Sequence, residues 1–383
     1  MSRPDSVNHP ARILTAVLLV FALLAFFVPC AAASGSWLMF SEDQIPEEQG
    51  FHVRDEYTGT VCITFLGDCT LGGEEKVRNA YRGFARTIER NGPAYPFRNL
   101  ITLTGKDDLT VANLEGVLSD RELKKVQKTY NFIGSTSYTD ILTAGSVDCV
   151  SLANNHTHDY GNEGYADTKQ ALEDAGIAWF GTDRMAVWEN GSGLMIGFLG
   201  VSGSLSGDRA KDFRNRAEAL RSMGCAAIIT VMHAGTEYDP KPDGYQRQIV
   251  AKAASVSSLI VGHHPHIVQG VEEHDGVPVV YSLGNCVFGG NGNPKDHDAL
   301  ALQAELDFEE GELTGITLHF NPISVSGEAS YNDYSPVLLE GKGAERVLKK
   351  MEESTGVSPG PFSKETGAVM AFPARNQQGD KKP

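Results

Sequence analysis

What this sequence lacks most is positive charge: over 383 residues the formal net charge is −16. Nucleic-acid binding needs a basic footprint, so no nucleic-acid partner is expected. A polyanionic substrate would need a local cationic or metal-lined site to offset repulsion. Cysteine is sparse too. Beyond Cys30 there are Cys62, Cys69, Cys149, Cys225 and Cys286, an odd set lying mostly in apolar, strand-like runs. No spacing among them matches a zinc cluster, so buried free thiols are expected, with a pairing left open for an oxidising compartment. There is no internal repeat, no disorder-like composition, and no Gly-x-Ser-x-Gly elbow around Ser282 that would make it a nucleophile.

Long apolar runs are also absent after the N-terminus. Residues 13–29 carry no charge, follow Arg3, His9 and Arg12, and precede Ala31, Ala32 and Ala33. That is the layout of an export signal, and the run is about as short as a bilayer span allows, so a cleaved leader and a retained anchor both stand. Val28 and Pro29 before Cys30 do not suit a lipoprotein site. The expected organisation is a signal peptide or N-terminal anchor over 1–33, a linker over 34–58, one main domain over 59–325, and a C-terminal extension over 326–383 with a late helix and a mobile tail from about residue 360. An extracytoplasmic protein, secreted or held at the membrane by its N-terminal segment, follows from this layout.

What is present is an alternation of apolar runs and helical patterns. The candidate strands are 61–66, 109–112, 149–152, 194–201, 226–232, 259–261 and 279–281, the candidate helices 165–175, 209–223, 245–254 and 344–353. Residues 300–308 and 313–320 read as a hairpin. This is an α/β pattern, and its polar residues recur at strand ends, which share one rim of a sheet.

Gly67-Asp68 closes the first strand. Alone it reads equally as a turn aspartate. Asn113 and Glu115 end the second, on the same side by the period of two. The stretch Asn154-Asn155-His156-Thr157-His158-Asp159 packs two amides, two imidazoles and a carboxylate into six residues, costly to bury unless they coordinate or hydrogen-bond something. His233 follows an apolar run, with Glu237 and Tyr238 placed to orient it. By itself it reads as a satisfied structural histidine. Gly262-His263-His264-Pro265-His266 is the densest signal. On an extended segment His264 and His266 point one way to bind metal and His263 the other. Ser282-Leu283-Gly284-Asn285 reads as a supporting turn and amide.

Together these motifs resemble the capsule-synthesis CapA family, linked to poly-gamma-glutamate production, within the calcineurin-like metallophosphoesterase superfamily. The resemblance spans about residues 60–320 and rests on Gly67-Asp68, Asn113-Leu114-Glu115, 152–161, 233–238, 262–269 and 281–285. It implies a four-layer α/β/β/α sandwich and a divalent-metal site (Mn, Zn, Fe or Mg) with Asp68, Glu115, Asn155, His156, His233, His264 and His266 as candidate ligands. His156 or Asp159 would be the general acid or base of a hydrolytic reaction. The implied partners are an anionic cell-envelope polymer and membrane-bound polymer synthase subunits, beside which the chain would act as an enzyme or as a non-catalytic accessory. A general extracytoplasmic phosphoesterase is the other alternative. The sequence departs from the superfamily at Thr70, where Asp-x-His would place a histidine, at Glu115, which stands for an aspartate, and at Cys286, which stands for an aromatic residue.

Overall fold

The computed structural model describes residues 28–29, 35–41 and 57–375. Two sheets face each other across one core. In the first, Ser36–Ser41, Arg184–Glu189, Met195–Ser202, Ala227–His233, Leu259–His263, Val277–Val280 and Val271–His274 lie side by side in that order. In the second, the order runs Phe362–Ser363, Gly367–Pro373, Glu312–Ser324, Asp298–Glu309, Gly59–Thr70, Leu109–Leu114, Cys149–Ser151 and Ala178–Phe180. Asn285–Phe288 adds to the end of Gly59–Thr70.

The strand period of two explains the layering. Along Ala227–His233, Ala227, Ile229 and Val231 enter the cluster between the sheets, while Ile228 and Met232 join the helices Gly207–Ser222 and Gly244–Ala253 through Ala217, Leu220, Ile249 and Ala253. On the other side, Phe84–Asn91, Thr139–Ala144 and Gly161–Asp174 sink Phe84, Ile88, Ile141, Leu142 and Leu172 into the core of the second sheet. The result is the expected α/β/β/α sandwich. Each fully buried Phe, Leu, Ile or Val contributes about 1.5–3 kcal/mol.

The expected strands and the three longer helices are present within a few residues. The hairpin forms at Asp298–Glu309 and Glu312–Ser324, turning through Glu310 and Gly311, both at positive φ, as primed hairpin turns require. Two expectations are corrected. The stretch 34–58, expected as a linker, contains the strand Ser36–Ser41, which pairs with Arg184–Glu189 and buries Trp37 and Met39. The region from residue 360, expected as a mobile tail, contains Gly367–Pro373, whose backbone pairs with Glu312–Ser324. Both strands are short apolar runs, SWLMFS and GAVMAFP, set in polar, Gly- and Pro-containing surroundings that read as loop. The late helix, Gly341–Thr355, buries Val347 and Met351 in the central cluster. Arg346 and Lys350 tie it to Asp298 and Asp296. Residues 1–27 and 376–383, with most of the expected leader, lie outside the described residues, and no described helix is long and apolar enough to cross a membrane.

Parallel pairing carries all the polar strand ends to one side. Register aligns Ser202 with His233 and His233 with His263 in the first sheet, and Asp68 with Asn113 and Asn113 with Ser151 in the second.

Candidate metal centre

Asp68 is the hub and is fully buried. Its Oδ1 accepts from Asn113 Nδ2 at 2.7 Å and lies 3.6 Å from His263 Nδ1 and 3.8 Å from His233 Nδ1. Its Oδ2 accepts from the backbone N–H of His264 at 3.3 Å and lies 3.2 Å from His266 Nδ1. Close backbone approach builds this corner: a Cβ on Gly67 would stand 2.2 Å from the carbonyl oxygen of Gly284, one residue before Asn285, whose Oδ1 lies 2.9 Å from His266 Nδ1.

Around the hub, His233 Nε2 lies 2.7 Å from Asn155 Oδ1 and 3.1 Å from His264 Nδ1, and Asn113 Nδ2 lies 3.2 Å from His233 Nδ1. Asn154 holds the loop, donating to Asn113 Oδ1 and the Leu114 carbonyl and accepting from the backbone of His156. His156 stacks on Phe132, ring centroids 4.2 Å apart, and turns Nδ1 to Asp159 Oδ2 at 2.7 Å. Asp159 Oδ1 accepts from Lys128 Nζ at 2.6 Å, and Oδ2 also from the backbone N–H of Phe132 at 2.6 Å; Lys128 Nζ stands 3.2 Å from His156 Nδ1 as well. With its Nδ1 engaged, His156 presents Nε2 to the pocket, 3.9 Å from Glu115 Oε1.

Glu115 is the exception. It is fully buried, and neither carboxylate oxygen has a hydrogen-bond partner among the described residues. His233 Nε2 stands 3.5 Å from Oε1, and one ligand atom each of Glu115, His264 and His266 lie within 4.8 Å of one another. A buried, unpaired carboxylate costs several kcal/mol unless a cation or a proton neutralises it. Burial, followed by the charge of Asp68, pushes the Glu115 carboxyl up to about 8. Burial acts the same way on Asp68, but the hydrogen bond and charge of His266, with His233 and His263 nearby, outweigh it and hold Asp68 well below the usual carboxylate range. Burial lowers His156, His233, His263 and His264. His266 goes the other way despite its burial: Glu115 and Asp68 raise it to about 10. One oxygen and two imidazole nitrogens, desolvated and mutually close, are a donor set that suits a borderline divalent ion such as Zn or Mn. The residues fit a metal.

The backbone records the cost of this arrangement. His264 and His266 both sit at positive φ, 99° and 57°, where non-glycine residues are strained by about 1–3 kcal/mol each. The alternation expected for an extended 263–266 segment therefore does not apply. The strand ends at His263, and His263 itself points to Asp68 instead of elsewhere. Two other readings change. The His233 ring meets Asn113, Asn155 and His264 instead of Glu237 or Tyr238, and Tyr238 lies beside His266 with ring centroids 6.2 Å apart. Asp159 is fully buried and engaged by Lys128, the Phe132 backbone and His156, while His156 carries its Nε2 to 3.9 Å from Glu115. Asp68, Glu115, Asn155, His156, His233, His264 and His266 do converge. His158 does not, packing instead edge-on to Tyr165. Lys128, whose Nζ also donates to the Asn155 carbonyl, was not foreseen, because its segment shows only scattered charge.

A sandwich of two sheets with carboxylates, amides and imidazoles gathered at strand ends is metallophosphoesterase-like. The chain belongs to the bacterial capsule synthesis protein PGA_cap family, whose model matches residues 62–290, a family of that superfamily. It is similar to the capsule biosynthesis protein CapA of Bacillus anthracis, 26% identical over 298 residues that cover 71% of this chain and 68% of the relative. It is likewise similar to the PGA biosynthesis protein CapA of Bacillus subtilis, 28% identical over 282 residues covering 67% and 71%. Among solved structures, a hypothetical protein from Thermus thermophilus aligns with 68% of this chain and 99% of its own, at 17% identity and a TM-score of 0.41.

Proposed function

We propose that this protein is an exported, membrane-proximal member of the capsule-synthesis machinery that uses a divalent metal at the Asp68–Glu115–histidine pocket to process an anionic envelope polymer, poly-gamma-glutamate being the substrate class that its relatives' names suggest. The observation that carries this reading is Glu115, a buried carboxylate with no hydrogen-bond partner among the described residues, held beside the imidazoles of His264 and His266.

Glu115, His264 and His266 would hold the ion, with His233, Asn155 and Asp68 adjacent. A divalent ion at such a pocket supplies Lewis acidity, polarising a carbonyl or phosphoryl oxygen and acidifying water. The chain's own part in hydrolysis falls to His156. Its Nδ1–H donates to Asp159, which leaves the Nε2 lone pair free to take a proton from a water or return one to a leaving group. Lys128 pairs with Asp159 Oδ1 at 2.6 Å and so holds the carboxylate in place beside His156. Phe132, stacked on the ring, holds the imidazole plane and keeps water off that face.

The experiment is a turnover panel on the purified full chain: an aryl phosphate, a phosphodiester and poly-gamma-glutamate, each with manganese or zinc and again with EDTA. Metal-dependent cleavage of the gamma-glutamyl polymer, lost in His156→Ala, is the expected result. Cleavage of the aryl phosphate alone would move the protein to the general phosphoesterases. No turnover of any substrate, together with co-purification of membrane synthase subunits, would make it an accessory protein.

A further inference from the structure

The net charge of −16 is not evenly spread. Between residues 76 and 98 stand six basic side chains and a single acid, Glu89, a local surplus of five positive charges. Three of the arginines lie over tyrosine rings. The Arg82 guanidinium is 4.6 Å from the centroid of Tyr331, Arg90 5.2 Å from that of Tyr81, and Arg98 4.0 Å from that of Tyr95. All three arginines are exposed, and Tyr81 is 82% exposed.

The pairs are joined into one strip. Arg82 follows Tyr81 in sequence, and Arg90 donates to the Tyr81 carbonyl at 2.9 Å. Tyr95 donates to Asp333 Oδ2 at 3.4 Å, two residues after Tyr331. The helix Phe84–Asn91 sets the spacing, with Tyr81 and Arg82 before it, Arg90 in its last turn, and Tyr95 and Arg98 just after.

The local acids are already engaged. Glu89 pairs with Arg86 at 2.7 Å. Asp333 accepts from Tyr95 through Oδ2 and from Ser326, Gly327 and Ser335 through Oδ1. Among the described residues, Arg82 and Arg98 make no hydrogen bond and no ion pair, and their only recorded contacts are the rings beneath them. A planar guanidinium held flat on an aromatic face keeps its edge donors free for a carboxylate, which it can bind through two parallel hydrogen bonds. Stacking also lowers the entropy lost when the side chain is immobilised.

From these observations we infer that the strip is a docking track for a flexible carboxylate polymer, engaging several pendant carboxylates at once. On a protein whose net charge repels polyanions, a track of this kind gives such a polymer a foothold. An anionic bilayer fits less well, since the strip offers no aliphatic side chain to insert.

The ligand class rests on the function proposed above, but the test is a binding assay and does not depend on turnover. Fluorescein-labelled poly-gamma-glutamate is titrated with the full chain at low salt and followed by anisotropy, in wild type, in Arg82→Ala/Arg98→Ala and in Lys211→Ala/Arg214→Ala, two exposed cations of the helix Gly207–Ser222 outside the strip. Both arginines are exposed, so a thermal melt should show the first variant folded as wild type does. Wild type is expected to bind, with affinity falling as salt rises. The arginine variant should bind about tenfold or more weakly, with a smaller salt dependence. The variant outside the strip should bind as wild type. Undiminished binding by the arginine variant overturns the track while leaving the pocket reading untouched. So does absence of binding by wild type, or tighter capture of a DNA duplex or of phosphatidylglycerol vesicles through the same two arginines.

Discussion

Two buried carboxylates share the pocket, and their surroundings treat them oppositely. Asp68 is surrounded by donors that stabilise its charge, whereas Glu115 accepts no hydrogen bond among the described residues and burial raises its pKa. Cation binding is therefore favoured at Glu115 in the folded state and has no counterpart in the unfolded chain. Adding manganese or zinc at about 100 times its Kd should stabilise wild type by about 2.7 kcal/mol, read as a rise in Tm, and Glu115→Gln should abolish most of that rise. A metal-induced rise that survives the substitution would remove Glu115 from the ligand set. The neighbouring prediction concerns His156. Long-range 1H–15N spectra at neutral pH should show the Nδ1–H tautomer, because Asp159 accepts that proton. Asp159→Asn should mix the tautomers, and a wild-type Nε2–H form would contradict the arrangement. At this scale the sequence exposed which residue types converge, since polar groups at the ends of apolar runs are conspicuous. It did not expose which nitrogen or oxygen is free, because that depends on partners such as Lys128 and Phe132 that no spacing rule connects to His156.

At the scale of elements, the pocket depends on places where the chain leaves regular geometry. The strand alternation used to orient His263, His264 and His266 fails because two of them adopt positive φ. A sequence of three histidines and a proline does not reveal that turn. Gly67 was legible as a point of sharp turning, but its structural role is a close approach to the backbone. Gly67→Ala forces a Cβ against the Gly284 carbonyl and should destabilise the protein by about 1–3 kcal/mol in urea unfolding. It should also weaken metal binding, because the displaced segment carries Asn285. A neutral effect on both would show that the Asn285–Phe288 strand is free to shift. The late helix offers an electrostatic test. Burial opposes ionisation of Asp298, but the hydrogen bonds from Arg346 and Lys350 prevail and lower its pKa. A carboxylate whose folded pKa is depressed adds stability that is present above its unfolded pKa, about 3.9, and is lost as pH falls through the folded one. Asp298→Asn should therefore cost about 1.5–3 kcal/mol at pH 7. The difference from wild type should shrink below about pH 4. A difference constant down to pH 2 would contradict the role of the charge.

For the molecule as a whole, the two-sheet sandwich was largely legible because its central parallel strands are continuous apolar runs. What escaped were the outer strands Ser36–Ser41, Arg184–Glu189 and Gly367–Pro373, short runs of six or seven residues with no helical pattern beside them to mark a βα unit. The C-terminal extension belongs to the sandwich. Ending the chain at residue 340 would uncover the side of the central cluster that Val347, Met351, Ala368 and Phe372 cover. The truncated protein should lose its cooperative melt and bind a hydrophobic dye, and a cooperative melt at the wild-type temperature would show that the extension is dispensable. The central claim remains that the two sheets meet in a metal centre. Its most direct test is elemental analysis of the purified full chain after loading with manganese or zinc and desalting, beside Glu115→Gln/His264→Ala checked for an unchanged fold. Near-stoichiometric metal in wild type and little in the variant is the predicted result; equal metal in both, or none in either, would contradict it.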